Sequence, residues 1–561
     1  MNRFWCLLLV FCLLNVGIPC FANGETLNDF NDFSYSVFGG EAVIHKYSGN
    51  ATQLTIPSTI DNALVTMIDQ TAFADCTTLT SVTISDGVRT ISSSAFSGCT
   101  ALTSITIPES VEEIRWCAFQ NCTSLNNVVI PSGVTQIGDN LFENCSSLSS
   151  VVFPAEVKEI GKDSLLNTAY YNNPGNWENG VLYQGDYLLA AQKEIDGGYT
   201  IKTGTKIIAD YAFHECKRLT GVAIPAGVKR IGAAAFNSTG LTSVTIPDGV
   251  ETIGSGAFMN CFQLESIAIS DNVRSVGAFA FSNNGYSRNS ANWINGELYC
   301  GNYLLELKNK VYGAYTVKPG TRGIAAKVFE GCDGLTSVDI PDGVISIGDW
   351  AFSDCNNLTA ITLPESLTFI GIHAFAGSGL TSITIPSKVD FLGYYAFWRC
   401  ASLTSVEILG KVSVIQSETF RECTALANVT IPEGVTVLEG SAFYECANLK
   451  SITIPDSVSV IEGKALGYFF NDKTDEIVSG FVIKGKENST AHKYAIRNGI
   501  KFEIIGDTPQ QHLQQQTNED NEETENLFWI WIFVGVVILL GMGMSVIIIT
   551  KKRKIKKLNN F

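Results

Sequence analysis

Leu102-Thr103-Ser104-Ile105-Thr106-Ile107-Pro108, continued by Ile114, Ala118-Phe119 and Cys122, is one copy of a twenty-three-residue sentence that repeats from near residue 51 to near residue 466. Thirteen segments match Leu-x-x-(Ile/Val)-x-(Ile/Phe/Leu) without a gap, beginning at Leu79, Leu102, Leu125, Leu148, Leu219, Leu241, Leu264, Leu335, Leu358, Leu380, Leu403, Leu426 and Leu449. The last two apolar positions alternate with Thr, Ala, Val, Asp or Glu, the period of two that marks a short strand with one buried face. A Pro usually follows, as at Pro108, Pro247 and Pro386, and closes the strand where no further ladder donor is needed. The second half carries Ala-Phe and a polar turn. Phe73, Phe96, Phe119, Phe142 and Leu165 are each twenty-three residues apart, and Phe213 to Phe281 and Phe329 to Leu466 resume the count. One coil alone cannot bury such a ring, so the pattern predicts a solenoid whose strands stack about 4.8 Å apart around an internal ladder of rings.

Two breaks in the count match each other. Leu165 to Phe213 and Phe281 to Phe329 are both steps of forty-eight residues, and each contains Asn-Trp-x-Asn-Gly-x-Leu-Tyr, at Asn176-Trp177 and Asn292-Trp293. Each reads as two atypical coils (166–212 and 282–328), with a small hairpin in place of the usual first strand. Duplication of a larger block explains the shared aromatic pattern better than two independent insertions.

The ends read differently from the array. Residues 1–24, with Arg3 and the apolar run Phe4 to Leu14, read as a signal peptide. Residues 25–50 are expected to cap the array of 51–466 at one end, and 467–507 at the other, with Ser489 opening a short helix. The Gln-, Asn- and Glu-rich 508–526 reads as a flexible stalk. The uncharged 527–550 has the twenty-four residues that, at about 1.5 Å each, cross a roughly 30 Å bilayer core, and 551–561 is a basic tail. The charge asymmetry across that segment predicts a single-pass type I protein of the plasma membrane, membrane-embedded and with its repeats extracellular. The formal charge of −17 becomes −24 once Arg3 and the six basic residues of 551–561 are set aside. Such a surface disfavours nucleic acid.

Chemistry is sparse. Cys76, Cys99, Cys122, Cys145, Cys216, Cys261, Cys332, Cys355, Cys400, Cys423 and Cys446 each follow the ladder Phe by three residues. This periodicity favours buried free thiols, with disulfides between adjacent coils as the alternative. No Cys-x-x-Cys, His-Glu-x-x-His, phosphate loop or nucleophile elbow occurs, and the five histidines are scattered. No catalytic, cofactor or metal site is expected, and the chain reads as a non-enzyme.

The strand face offers the better surface. Thr83, Thr106, Thr245, Thr362, Thr384, Thr430 and Thr453 share one outward register and predict a hydroxyl stripe suited to a protein or glycan ligand. Threonine also simply favours strands. Trp177 and Trp293 are hot-spot candidates if exposed and core residues of an irregular coil otherwise. Sequons begin at Asn50, Asn121, Asn144, Asn237, Asn428 and Asn488, Asn488 being the foremost and Asn121 and Asn144 adjoining column cysteines.

On Leu-Thr-Ser-Ile-Thr-Ile-Pro-Glu-Ser-Val, Ile114, Ala118-Phe119, Asn121-Cys122 and Leu125, the chain resembles the Treponema pallidum type of leucine-rich repeat. It looks like the BspA-like surface proteins, above all the membrane-anchored members of trichomonads. The likeness covers nearly all of 51–505. It implies an α/β leucine-rich-repeat solenoid, a curved rod with a parallel β-sheet on one face and mostly irregular or 3-10 structure opposite. It also implies adhesion to, or recognition of, host, matrix, microbial or glycan ligands. A passive coat or spacer, and a glycan-acting ectoenzyme, are the other classes considered. No ligand-binding residue carries over, and oligomeric state is left open.

Overall fold

The computed structural model describes residues 28–38, 40–471 and 474–505. The expected signal peptide 1–24, stalk 508–526, apolar segment 527–550 and tail 551–561 lie outside the described residues.

Each regular coil has two strands. In the copy quoted above, Ser104–Thr106 pairs in parallel with Ser81–Ile84 of the coil before, and Glu113–Ile114 pairs in parallel with Thr90–Ile91. Ile114 of the second strand is buried and Ile105 of the first half-buried, and Leu102 and Val111 just before the two strands are fully buried. The chain then turns around a fully buried Phe. Phe96 stacks on Phe119 at 5.5 Å and 10°, Phe119 on Phe142 at 5.6 Å and 9°, and Phe329 on Phe352 at 4.9 Å and 5°. The ring spacing follows the strand spacing, so one side chain per coil builds a continuous core.

The sulfur column is part of that core. Cys99, Cys122, Cys145, Cys355 and Cys423 donate their S–H to the carbonyl of the ladder Phe one coil back, at 3.1, 3.2, 3.0, 3.1 and 3.1 Å. In the coils that lack the Cys, Thr239 and Ser378 stand in the column and bring their hydroxyls to 3.2 and 3.3 Å from the sulfurs of Cys261 and Cys400. The described cysteines are free thiols, nearly all buried. Burial pushes the Cys355 and Cys300 thiols up to about 12.

The solenoid is curved toward its second strands. Some of these join into long runs, such as Tyr187–Ala191 through Ser275–Val276, and others into sheets of two or three, such as Gln136–Ile137 with Glu159–Ile160, while the first strands all divide into sheets of two or three. The same bend carries Arg274 to Asp390 and to the Thr368 carbonyl at 3.4 Å, over the ring of Phe369. Helix is sparse: Ala169–Asn172, Gly285–Arg288 and Thr490–Asn498 are the α-helices among the described residues. Ser489 caps the last, accepting the His492 N–H at 3.2 Å, and Gly499 ends it at a left-handed φ of 66°.

The two irregular coils differ from expectation in where the hairpin lies. Its final strand, Tyr187–Ala191 or Tyr303–Leu307, takes a second-strand position beside Ile207–Ile208 or Gly323–Ile324. The first-strand position is filled instead by Gly197–Thr200 and Gly313–Thr316. Tyrosine helps to fix this: Tyr187 donates to the Pro154 carbonyl at 2.7 Å and Tyr303 to the Ser270 carbonyl at 3.0 Å, at the strand ends of the preceding coil. The first hairpin also divides the core. Leu182, Tyr187 and Leu189 pack into the cluster on the N-terminal side, and Val181, Tyr183 and Leu188 into the C-terminal one.

The expectation of a transmembrane, membrane-embedded, single-pass protein of the plasma membrane is corrected. Among the described residues no helix is long and apolar enough to cross a membrane. The longest has nine residues, against the roughly 20 that a span requires.

Candidate functional site

The predicted hydroxyl stripe is assembled as the register implies. Thr83, Thr106, Thr245, Thr362, Thr384, Thr430 and Thr453 are all exposed. Thr83 lies opposite Thr106, and Glu407 between Thr384 and Thr430. Thr55, Thr200 and Thr316 extend the stripe from irregular or terminal coils that lack the Leu-x-x-(Ile/Val) motif. Val129 and Val152, 65% and 49% exposed, give it an apolar segment. Because the first strands lie outside the bend, the stripe is splayed rather than cupped.

Trp177 and Trp293 are partly buried, and their polar atoms are used internally. Trp177 Nε1 donates to the Tyr171 carbonyl and Trp293 Nε1 to the Ser287 carbonyl, both at 2.6 Å. Asn176 and Asn292 donate to the Tyr170 and Tyr286 carbonyls at 2.8 Å. The shared Asn-Trp motif thus closes a helix-to-hairpin corner in each copy. Beside the first lies an open cleft of about 420 Å³ lined by Asn179, Gln192, Glu194, Asp196 and Tyr199.

The sequons separate by environment. Asn50, Asn428 and Asn488 are exposed. Asn237 is 5% exposed and its side-chain oxygen accepts from the Ser238 hydroxyl. Asn121 and Asn144 belong to a ladder in which each Nδ2 donates to the side-chain oxygen one coil back, Asn144 to Asn121 at 3.0 Å and Asn167 to Asn144 at 2.9 Å.

A further surface runs along the turns. The residues two before and two after each ladder Phe adopt left-handed φ, because the chain makes two tight corners around the ring. Asn121, Asn144 and Asn167 fill the second corner at φ of 61°, 62° and 60°, where a short amide tolerates that conformation. In the N-terminal coils the first corner holds Thr71, Ser94, Cys117, Asn140 and Asp163. Four consecutive later coils hold Trp350, His373, Tyr395 and Glu418 there, at φ of 59°, 53°, 58° and 60°, before Ser441 and Lys464, and Tyr211 and Phe279 are the bulky residues of the middle coils. Bulky residues are genuine outliers there, at a cost of order 1–3 kcal/mol each.

These side chains form one connected strip. Trp350 stacks on His373 at 3.9 Å and His373 on Tyr395 at 4.5 Å, while Trp398 sets its edge against both, at 5.8 and 6.2 Å. Lys327 Nζ lies 5.1 Å from the Trp350 ring, and the Arg399 guanidinium 4.4 Å from that of Trp398. Tyr395 donates to Glu418 at 3.0 Å, and Trp398 Nε1 to Glu422 at 3.2 Å. Glu422 and Glu418 also hold Arg399 and Arg421, at 2.7 and 2.8 Å. Burial, reinforced by Lys327, pushes His373 down to about 4, so its ring is neutral at physiological pH. The Tyr395 phenol is raised to about 12 by burial and by Glu418. The strip is preorganised and amphipathic. It is absent from any motif scan because the corner positions carry no fixed residue type.

The BspA type leucine rich repeat region matches residues 42–172, 198–295, 322–436 and 356–475, more than half of the chain. The chain belongs to the BspA-type leucine-rich-repeat family. The chain is similar to a leucine rich cell surface protein of Faecalibacterium prausnitzii, with 27% identity, 72% of this chain and 95% of that one covered, and a TM-score of 0.24. It is similar to the T. pallidum leucine rich repeat protein at 28% identity, covering 38% and 89%, with a TM-score of 0.28. The pneumococcal vaccine antigen PcpA matches at 16% identity over 87% and 100%, with a TM-score of 0.25. No curated protein matches. The repeat is a surface-type scaffold often used in recognition. In this BspA-type chain the strip occupies positions that the scaffold leaves free to vary.

Proposed function

We propose that the protein is a recognition or adhesion protein whose principal contact surface is the turn-face strip Trp350, His373, Tyr395, Trp398 and Arg399, with the threonine stripe as a secondary face. The supporting observation is that Trp350 and Tyr395, stacked on the buried His373, hold a strained left-handed backbone at a partly exposed surface. Strain of that kind persists where it serves a purpose. Trp, Tyr and Arg are also the residues that dominate protein interfaces.

The geometry favours a protein ligand over a glycan. Stacking covers both faces of His373 and one face each of Trp350 and Tyr395, and cations sit over Trp350 and Trp398, so little open ring face remains for a sugar. Ring edges, the half-buried phenol and the arginine–glutamate pairs suit a polar protein epitope. The proposal assigns no turnover to these surfaces. Binding to laminin, fibronectin, host cells and glycan arrays tests it. Saturable binding to a protein target, lost on Trp398→Ala, supports it; binding to glycans alone, or to nothing, favours a glycan receptor or a passive coat.

A further inference from the structure

The N-terminal cap brings together three side chains that no linear motif announces. Ser36 lies on the strand Phe33–Phe38, His45 on the neighbouring antiparallel strand Glu41–Tyr47, and Asp69 one residue beyond the parallel strand Ala63–Ile68. The Ser36 hydroxyl is 2.7 Å from His45 Nε2, and Nδ1 of the same ring is 2.8 Å from Asp69 Oδ2. The other Asp69 oxygen accepts the Gln70 N–H at 2.7 Å, which fixes the carboxylate against rotation. Burial raises the Asp69 carboxyl, but the hydrogen bonds from His45 and Gln70 outweigh it and hold the group below its ordinary value.

The backbone is arranged to make this contact. Pairing runs Ser34 with Lys46 and then Tyr35 with Ile44, so the register skips His45. A β-bulge re-aims the side chain it carries, and such bulges concentrate beside active sites. A hydroxyl, an imidazole and a carboxylate joined in this order activate a serine for attack on an acyl carbon. Ser36 and Asp69 are only 7% and 8% exposed, so only a small acyl group has access.

We propose that Ser36, His45 and Asp69 form a nucleophile, base and orienting group that hydrolyse small acyl esters, of about the size of an acetyl ester. Ser36 Oγ adds to the ester carbonyl carbon as its proton passes to His45 Nε2. The tetrahedral centre collapses with cleavage of the ester C–O bond, and His45 returns the proton to the departing alkoxide oxygen. Water then adds to the acyl-serine, giving a proton to His45. The acyl C–Oγ bond breaks, and the carboxylic acid leaves as Ser36 recovers its hydroxyl. Asp69 keeps the Nδ1 proton directed and balances the transient imidazolium. This activity is independent of the recognition reading and uses different residues.

The test treats the full chain with methanesulfonyl fluoride, a serine-directed reagent of about acetyl size, mapped by mass spectrometry, and follows p-nitrophenyl acetate turnover in parallel. The expected result is a covalent adduct on Ser36, absent in Ser36→Ala, with adduct formation and turnover slowed about a hundredfold or more in His45→Gln. Asp69→Asn, a positioning change, should slow both while leaving the melting temperature close to that of the parent chain. No adduct on Ser36 in the unmodified chain, or full turnover in Ser36→Ala, overturns the proposal. If Ser36→Ala does not fold, the mapped adduct on the unmodified chain decides alone: on Ser36 it supports the relay, and elsewhere or absent it overturns it.

Discussion

At Tyr395 a large side chain sits on a backbone φ of 58°, where a Cβ costs roughly 1–2 kcal/mol and glycine nothing. Tyr395→Gly is therefore expected to be about 1 kcal/mol more stable than Tyr395→Ala, in spite of glycine's greater freedom when unfolded. Denaturant unfolding of the two variants checks this, and an alanine variant that is equally stable or better removes the strain argument. The ladder obeys the opposite logic. Phe375 is fully buried between Phe352 and Phe397, and Phe375→Ala should cost about 3–5 kcal/mol. Buried carboxylates set the pH dependence. Burial raises Glu439 to about 7, Glu462 and Glu113 adding to it against a hydrogen bond from Ser417 N–H, and burial raises Asp210 to about 7 in spite of Arg230. In the unfolded chain such groups titrate near 4. Between about pH 4 and 7 the folded state therefore holds more protons, and stability falls as pH rises through that window. The melting temperature should rise from pH 8 to about pH 5.5, and Glu439→Gln with Asp210→Asn should flatten the rise.

At the scale of the element, the strands and the ladder were legible in the sequence because each coil must supply the same inward residues to be buried at all. The hairpins were not. An extra reversal has no period, and its place on the second-strand side depends in part on where the Tyr187 and Tyr303 hydroxyls find carbonyls. The Asn-Trp motif was visible, but its internal use was not, since the Trp177 and Trp293 partners lie on the short helices before them. Trp177→Phe should cost about 1 kcal/mol, for a carbonyl left without its donor, and should leave ligand binding unchanged. The turn-face strip and the cap relay escaped the sequence for related reasons. The corners specify a backbone conformation and not a residue type, and Ser36, His45 and Asp69 meet only through strand pairing and a bulge. The cysteine column was legible as a column, while its role as a donor to the Phe carbonyls required the coil-to-coil offset.

Across the repeat unit as a whole, the hairpin Val181–Gln184 and Tyr187–Ala191 divides two hydrophobic clusters, each facing one side of it. Solenoid stability is a sum of neighbouring interfaces, so native-state hydrogen exchange should show two cooperative blocks that meet near residues 181–209. Uniform exchange across that boundary would argue for one continuous core. Chemical specialisation follows the same axis. The N-terminal corners carry small polar residues and an asparagine ladder, and the successive corners from Trp350 to Glu422 gather rings and charge into one strip, so recognition is assigned to that stretch of an otherwise repetitive scaffold. The measurement that tests this assignment most directly compares two variants for affinity to the same bound protein: Trp398→Ala with Arg399→Ala on the turn face, and Thr362→Ala with Thr384→Ala on the strand face. The turn-face pair is expected to lose roughly 2 kcal/mol or more, about thirtyfold, and the strand-face pair less than about threefold. Loss confined to the strand-face pair, with the turn-face pair binding as the parent chain does, would contradict it.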